Sequence, residues 1–159
     1  MTKANTLNQG DLRRLAVDLL SRREYSAKTL QQKLSERSDS FEDVQNVISY
    51  MQELGYQSDE RFARVFFNSR IIKKLGPYRI QRELKEKGID KHLINAQLDE
   101  AEVDWFELAV NSGAYKSKQL DLNDFSARQK LYRYLVYRGF SQDHIQYALD
   151  QLKNLQNDA

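Results

Sequence analysis

A chain of 159 residues with 40% apolar and 30% charged side chains and a mean hydropathy of −0.76 is lean for one large core; it suits one domain or a few small modules. The absence of cysteine excludes disulfides and thiolate metal sites, and no run approaches the ~20 apolar residues needed to span a bilayer. Residues 1–10 lack the apolar region of a signal peptide, so a cytoplasmic protein without membrane contact is expected. The net charge of +2 conceals blocks of opposite sign: +7 over residues 61–91, −5 over 92–127 and +4 over 128–138.

Residues 1–10 read as a disordered start. From Asp11, a plausible cap, Leu12, Leu15, Ala16, Leu19 and Leu20 have helical spacing. Ser26 caps a second helix with Ala27, Leu30 and Leu34. Phe41, Val44, Val47, Ile48, Met51 and Leu54 mark a third, stopped by Gly55. A fourth starts at Ser58 or Asp59, carries Phe62, Val65 and Phe66, and is expected to run to Leu75, because Gly76-Pro77 forbids continuation.

The fifth helix is the best punctuated. Pro77 suits a first-turn position, Ile80 and Leu84 share a face, and Gly88 stands where a left-handed cap is expected, with Ile89 folding back on Leu84. Asp90 caps a sixth helix with Leu93, Ile94 and Leu98. The seventh covers roughly residues 104–116, with Trp105, Phe106, Ala109 and Val110. The eighth runs from Phe125 through Leu131 and Leu135 to Gly139, and Ser141 caps the ninth, with Ile145, Ala148, Leu149 and Leu152. Phe62, Phe66, Trp105 and Phe106 read as core. Period-two alternation never persists, so no strand is expected.

The chain repeats itself. Aligning Leu34, Leu84 and Leu135 brings Leu30, Ile80 and Leu131 together, then Val44, Ile94 and Ile145, then Ile48, Leu98 and Leu149, without gaps. The cap position reads Ser38, Gly88, Gly139, so the first copy lacks its glycine. The expected fold is all-α: three tandem three-helix repeats over 11–56, 57–101 and 102–154, stacked into an elongated, curved rod, with a tail at 155–159.

Three passages resemble the RecX family of bacterial recombination regulators. Gly55-Tyr56-Gln57-Ser58-Asp59-Glu60-Arg61-Phe62-Ala63 is similar to the family's Gly-Tyr-Leu-Asp/Asn-Asp-x-Arg-Phe-Ala. The stretch from Gly76 to Ile89 resembles Gly-x-x-Arg-Ile…Glu-Leu…Lys-Gly-Ile, and Lys130 to Phe140 resembles Lys…Phe-Leu-x-Arg-Arg-Gly-Phe. The chain departs from the pattern at Thr29 (usually Glu), Gln57 (usually Leu) and Tyr137 (usually Arg). The resemblance implies a negative regulator that binds the RecA filament and inhibits its ATP hydrolysis, strand exchange and coprotease activity; a monomer is expected. DNA contact is expected within the filament.

No catalytic constellation, phosphate loop or metal-ligand spacing is present in the sequence, so neither an enzyme nor a cofactor is expected. His92 and His144 stand apart and read as surface or cap-side groups. Chemistry is expected instead from two basic groups: Arg70, Lys73, Lys74, Arg79, Arg82 and Lys85, then Arg128, Lys130, Arg133 and Arg138. Such charges often only solvate a face, but two blocks on equivalent helices suit an acidic protein surface or phosphates. Tyr78, Tyr132, Tyr134 and Tyr137 beside them read as half-buried packing rather than base-stacking platforms. Two rival readings stand beside the resemblance. One is a helical-repeat DNA binder acting independently of RecA; the other is a helical scaffold for some other acidic protein.

Overall fold

The computed structural model describes residues 6–159, in which nine α-helices and no strand occur. They are α1 (Gln9–Arg22), α2 (Ala27–Ser35), α3 (Phe41–Glu53), α4 (Asp59–Ile72), α5 (Pro77–Glu86), α6 (Lys91–Glu100), α7 (Trp105–Ser117), α8 (Phe125–Tyr137) and α9 (Gln142–Asn157). The all-helical class is as the periodicity requires.

Local chemistry sets the ends. Asn8, Ser26, Ser40, Asp104 and Ser141 each accept, through the side chain, from the backbone amide three residues on. Ser58 does the same for Arg61. At the other ends Gly55, Gly88 and Gly139 have φ of 78°, 79° and 100°. The next residue's amide reaches back to the carbonyl of Met51, Leu84 or Leu135, at 2.9, 3.1 and 3.2 Å. This is the Schellman arrangement, which glycine adopts without a Cβ penalty. Lys74 adopts it too, at φ 61°, with Leu75 N–H donating to the Arg70 carbonyl.

The chain forms two compact units. One holds the described residues up to Phe66 together with Leu84–Ile94; the other holds Phe67–Glu83 and Asn95–Ala159. In the first, α1 and α2 pack on α3 around Leu12, Ala16, Leu30, Leu34, Val47 and Met51. In the second, α7 and α8 pack on α9 around Ala109, Leu131, Leu135, Ile145, Ala148 and Leu152.

Several details differ from the sequence reading. The first cap is Asn8, not Asp11, because the Asn8 side chain takes the Asp11 amide at 2.8 Å. The expected disordered start lies outside the described residues over 1–5; beyond them, Leu7 N–H donates to the Arg37 carbonyl at 2.8 Å, and Gln9 and Gly10 are helical. Helix α4 stops at Ile72 rather than Leu75, since Lys74 is already left-handed. Its buried face is Phe62, Ala63 and Phe67, whereas Val65 is exposed and Phe66 half-buried. Trp105 is half-buried, edge-on to Phe67 with ring centroids 6.1 Å apart. Phe106 is 43% exposed and lies edge-on to His144 and Tyr147. Phe41, Leu54 and Phe125, counted among the apolar faces, are exposed as well.

Candidate functional site

The basic residues divide into half-buried and exposed ones. In the second unit, Glu83 on α5 collects two of them: Arg70 Nε donates to it at 2.9 Å and Arg79 Nε stands 3.6 Å from its other oxygen. Both arginines are largely covered. Arg79 also lays its guanidinium over the Tyr137 ring, 5.0 Å from the centroid.

Arg138 ends α8 and closes the end of α4. Its Nε donates to Ser112 Oγ at 2.7 Å, while Nη2 donates to the carbonyls of Lys73 and Lys74. Helix C-termini leave carbonyls without intrahelical partners, and one guanidinium nitrogen here meets two carbonyls just past the end of α4. The backbones also join directly: Gly76 N–H donates to the Arg138 carbonyl at 2.8 Å, and Tyr78 N–H to the Gly139 carbonyl at 3.0 Å. Arg128 donates to the Leu122 carbonyl at 3.0 Å. Arg70, Arg79, Arg128 and Arg138 thus have intramolecular partners that hold the surface in shape.

Lys73, Lys74, Arg82, Lys130 and Arg133 present exposed side chains in this unit, and Lys85 does so in the last turn of α5, which belongs to the first unit. Nothing in the sequence separates the two classes except Glu83, placed four residues after Arg79 on one helix. The tyrosines divide as well. Tyr132 and Tyr134 are half-buried as expected, but Tyr78 and Tyr137 are 59% and 70% exposed.

A second surface had no signal in the charge pattern. In the first unit an open groove of about 450 Å³ runs between α1 and α3, lined by Arg13, Val17, Asp18, Tyr50 and Leu54, with Arg13 over the Tyr50 ring at 4.4 Å. Val17 and Leu54 in its lining are apolar residues that the fold leaves exposed, which the sequence pattern does not reveal.

Neither histidine joins a site. His92 is exposed; His144 Nδ1 accepts the Ser141 amide at 3.2 Å and completes the capping box of α9. Burial holds the His144 pKa below its ordinary value, against the opposing pull of Asp143 and Asp104. Among the described residues no group of three or more acidic or histidine side chains could hold a metal ion, and no helix is long and apolar enough to cross a membrane.

The family described as "RecX, second three-helix domain" matches residues 58–98, and "RecX, third three-helix domain" matches 102–149. The chain is similar to Regulatory protein RecX of Legionella pneumophila (strain Corby), with 42% identity over 139 residues, 87% of this chain and 93% of that one. It is 39% identical to Regulatory protein RecX of Actinobacillus pleuropneumoniae serotype 5b (strain L20), over 83% of this chain and 86% of the relative. The fold matches the crystal structure of RecX from Lactobacillus salivarius, with a TM-score of 0.75 at 21% identity, over 92% of this chain and 97% of that one.

Proposed function

Because the chain belongs to the RecX family, we propose that it is a negative regulator of the RecA recombinase. It seats as a monomer in the groove of the RecA–single-stranded DNA filament in the cytoplasm, bridges successive subunits, and inhibits ATP hydrolysis, strand exchange and coprotease activity. It acts by binding and not by catalysis. The observation that carries this reading is the likeness to regulatory relatives over 87% of the chain. Two basic segments on equivalent helices of adjacent repeats fit a target in which phosphates and acidic protein surface lie side by side. Several weak contacts along one filament add through effective concentration. Lys73, Lys74, Arg82, Lys85, Lys130 and Arg133 make the contacts, while Arg70, Arg79, Arg128 and Arg138 hold the surfaces that carry them.

The test is RecA's single-stranded-DNA-dependent ATP hydrolysis with this protein added below one molecule per RecA subunit. Inhibition is expected at substoichiometric protein. No inhibition at equimolar protein refutes the reading. Inhibition that excess competitor DNA abolishes transfers the function to a DNA binder acting independently of RecA.

A further inference from the structure

The α4–α5 turn and the end of α8 meet within the second unit and carry two exposed tyrosines among cations. Tyr78 is fixed through its amide to the Gly139 carbonyl, and Tyr137 lies two residues before that glycine, so both exposed tyrosines are anchored at the same junction. Tyr137 is not loose. The Arg79 guanidinium covers one face of its ring, and Glu83 holds Arg79 from behind. With 70% of Tyr137 exposed, most of its surface is in water. Lys73 and Lys74 turn their carbonyls to Arg138 and leave their side chains exposed. Residues 67–83 hold five cations against the one carboxylate of Glu83, which is already shared by two arginines.

We propose that Tyr78 and Tyr137 form a stacking platform for unpaired bases of single-stranded nucleic acid, with Lys73 and Lys74 receiving the adjacent phosphates. An acidic protein surface would use the cations alone. Two solvent-facing rings, one backed by a guanidinium, instead present the flat apolar area that a base covers, whatever its identity. The family pattern that this stretch resembles usually has an arginine at position 137, where this chain has a ring. The proposal sharpens the filament reading, on which it rests only for its setting, and its test needs no RecA.

The full chain is titrated into a fluorescein-labelled oligodeoxythymidylate at low salt, and anisotropy is read. The parent chain is expected to bind. Tyr78→Ala and Tyr137→Ala each weaken binding by roughly five- to a hundredfold, the effect of losing one stacked base. Tyr78→Phe and Tyr137→Phe keep the ring and stay within about twofold. Lys73→Ala with Lys74→Gly, which removes charge without straining the turn, weakens binding and lowers the salt slope by about 1.4, for two phosphates on a single strand. Far-ultraviolet circular dichroism confirms that each variant is helical.

Absence of oligonucleotide binding by the parent chain overturns the proposal, as does unchanged binding by both alanine variants. If the alanine variants lose RecA inhibition but bind the oligonucleotide normally, the tyrosines contact protein; the proposal then fails while the family reading stands. If the parent chain does not inhibit RecA yet binds oligonucleotide in a ring-dependent way, the RecA reading fails and this proposal holds.

Discussion

Gly139→Ala should be among the most damaging single changes in the protein, and its cost can be separated into parts. At φ 100° a Cβ carries a left-handed penalty of roughly 1–2 kcal/mol. That Cβ would also stand 2.3 Å from Arg79 Cβ and 2.6 Å from the Arg79 amide nitrogen, where carbon contacts settle at about 3.5–4.0 Å. The two backbones must separate by more than about 1 Å. This breaks the bonds from Gly76 and Tyr78 into α8, each worth about 1 kcal/mol net, and loosens the packing by about 1–3 kcal/mol. The total is about 4 kcal/mol or more, a large share of the ~5–15 kcal/mol that holds a domain together. Gly55 supplies the control. Its φ is 78°, but a Cβ there meets nothing within 4 Å, so Gly55→Ala should cost about 1 kcal/mol, the strain alone. Gly76→Ala isolates the other part: its Cβ would lie 2.4 Å from the Gly139 carbonyl, in a residue without a positive φ. Urea unfolding followed by circular dichroism reads all three. With a slope of ~2 kcal/mol/M, the midpoint should fall by about 2 M for Gly139→Ala and about 0.5 M for Gly55→Ala. Equal shifts for those two would refute the close-approach argument and leave backbone conformation as the whole effect.

Three further outcomes are expected. Lys74→Gly should stabilise the chain by about 1 kcal/mol, because Lys74 sits at φ 61° in a cap geometry that glycine adopts freely; thermal unfolding reads this directly. Gln57→Leu, a change toward the usual family residue, should destabilise by about 1–3 kcal/mol. Gln57 is 2% exposed, and its amide donates to the Tyr25 carbonyl and Asp59 while its oxygen accepts from Gln52, so leucine strands buried polar groups. His144 has its folded-state pKa lowered by burial, so the unfolded chain takes up the proton first. Its contribution is therefore complete above the unfolded value of about 6.5 and declines as pH falls below it; denaturation midpoints from pH 7.5 to 5 should drop, less steeply in His144→Gln. A profile identical in that variant would remove His144 from the account.

The sequence carried most of the helical frame because most of the ends are written in short-range chemistry. A serine three residues before an amide, or a glycine followed by an apolar residue, acts within one turn, and no distant partner decides it. Phe106 and Phe67 show where such reasoning stops. Both lie on aromatic-rich helix faces, yet Phe67 is buried and Phe106 sits at the rim, because the choice depends on which neighbouring helix arrives. The basic residues met the same limit. Arg138 and Arg133 are equal as charges, and only the approach of the α4 carbonyls makes one a structural clamp and leaves the other exposed. A solvated charge and a spent one look alike until the acceptor is seen. Tyr137 reverses the error: its helix suggested packing, and the fold exposes it.

Two of the three cap glycines also record a neighbour. Gly139 lies under the backbone of Arg79, and Gly88 lies against Lys28, whose amine reaches the Glu86 carbonyl at 3.2 Å. In each case the start of one copy's second helix rests on the end of the next copy's second helix, where a side chain would obstruct it. Ser38 occupies the same place in the first copy. The Arg37 carbonyl, counterpart of the one on Arg138 that Gly76 uses, is taken there by the amide of Leu7. A plain leading segment makes the bond that a helical turn makes elsewhere, and it leaves room for a Cβ. Gly88 and Gly139 therefore mark the places where the end of one module's second helix receives the start of another's, whereas Ser38 stands beside a carbonyl taken by the segment ahead of α1.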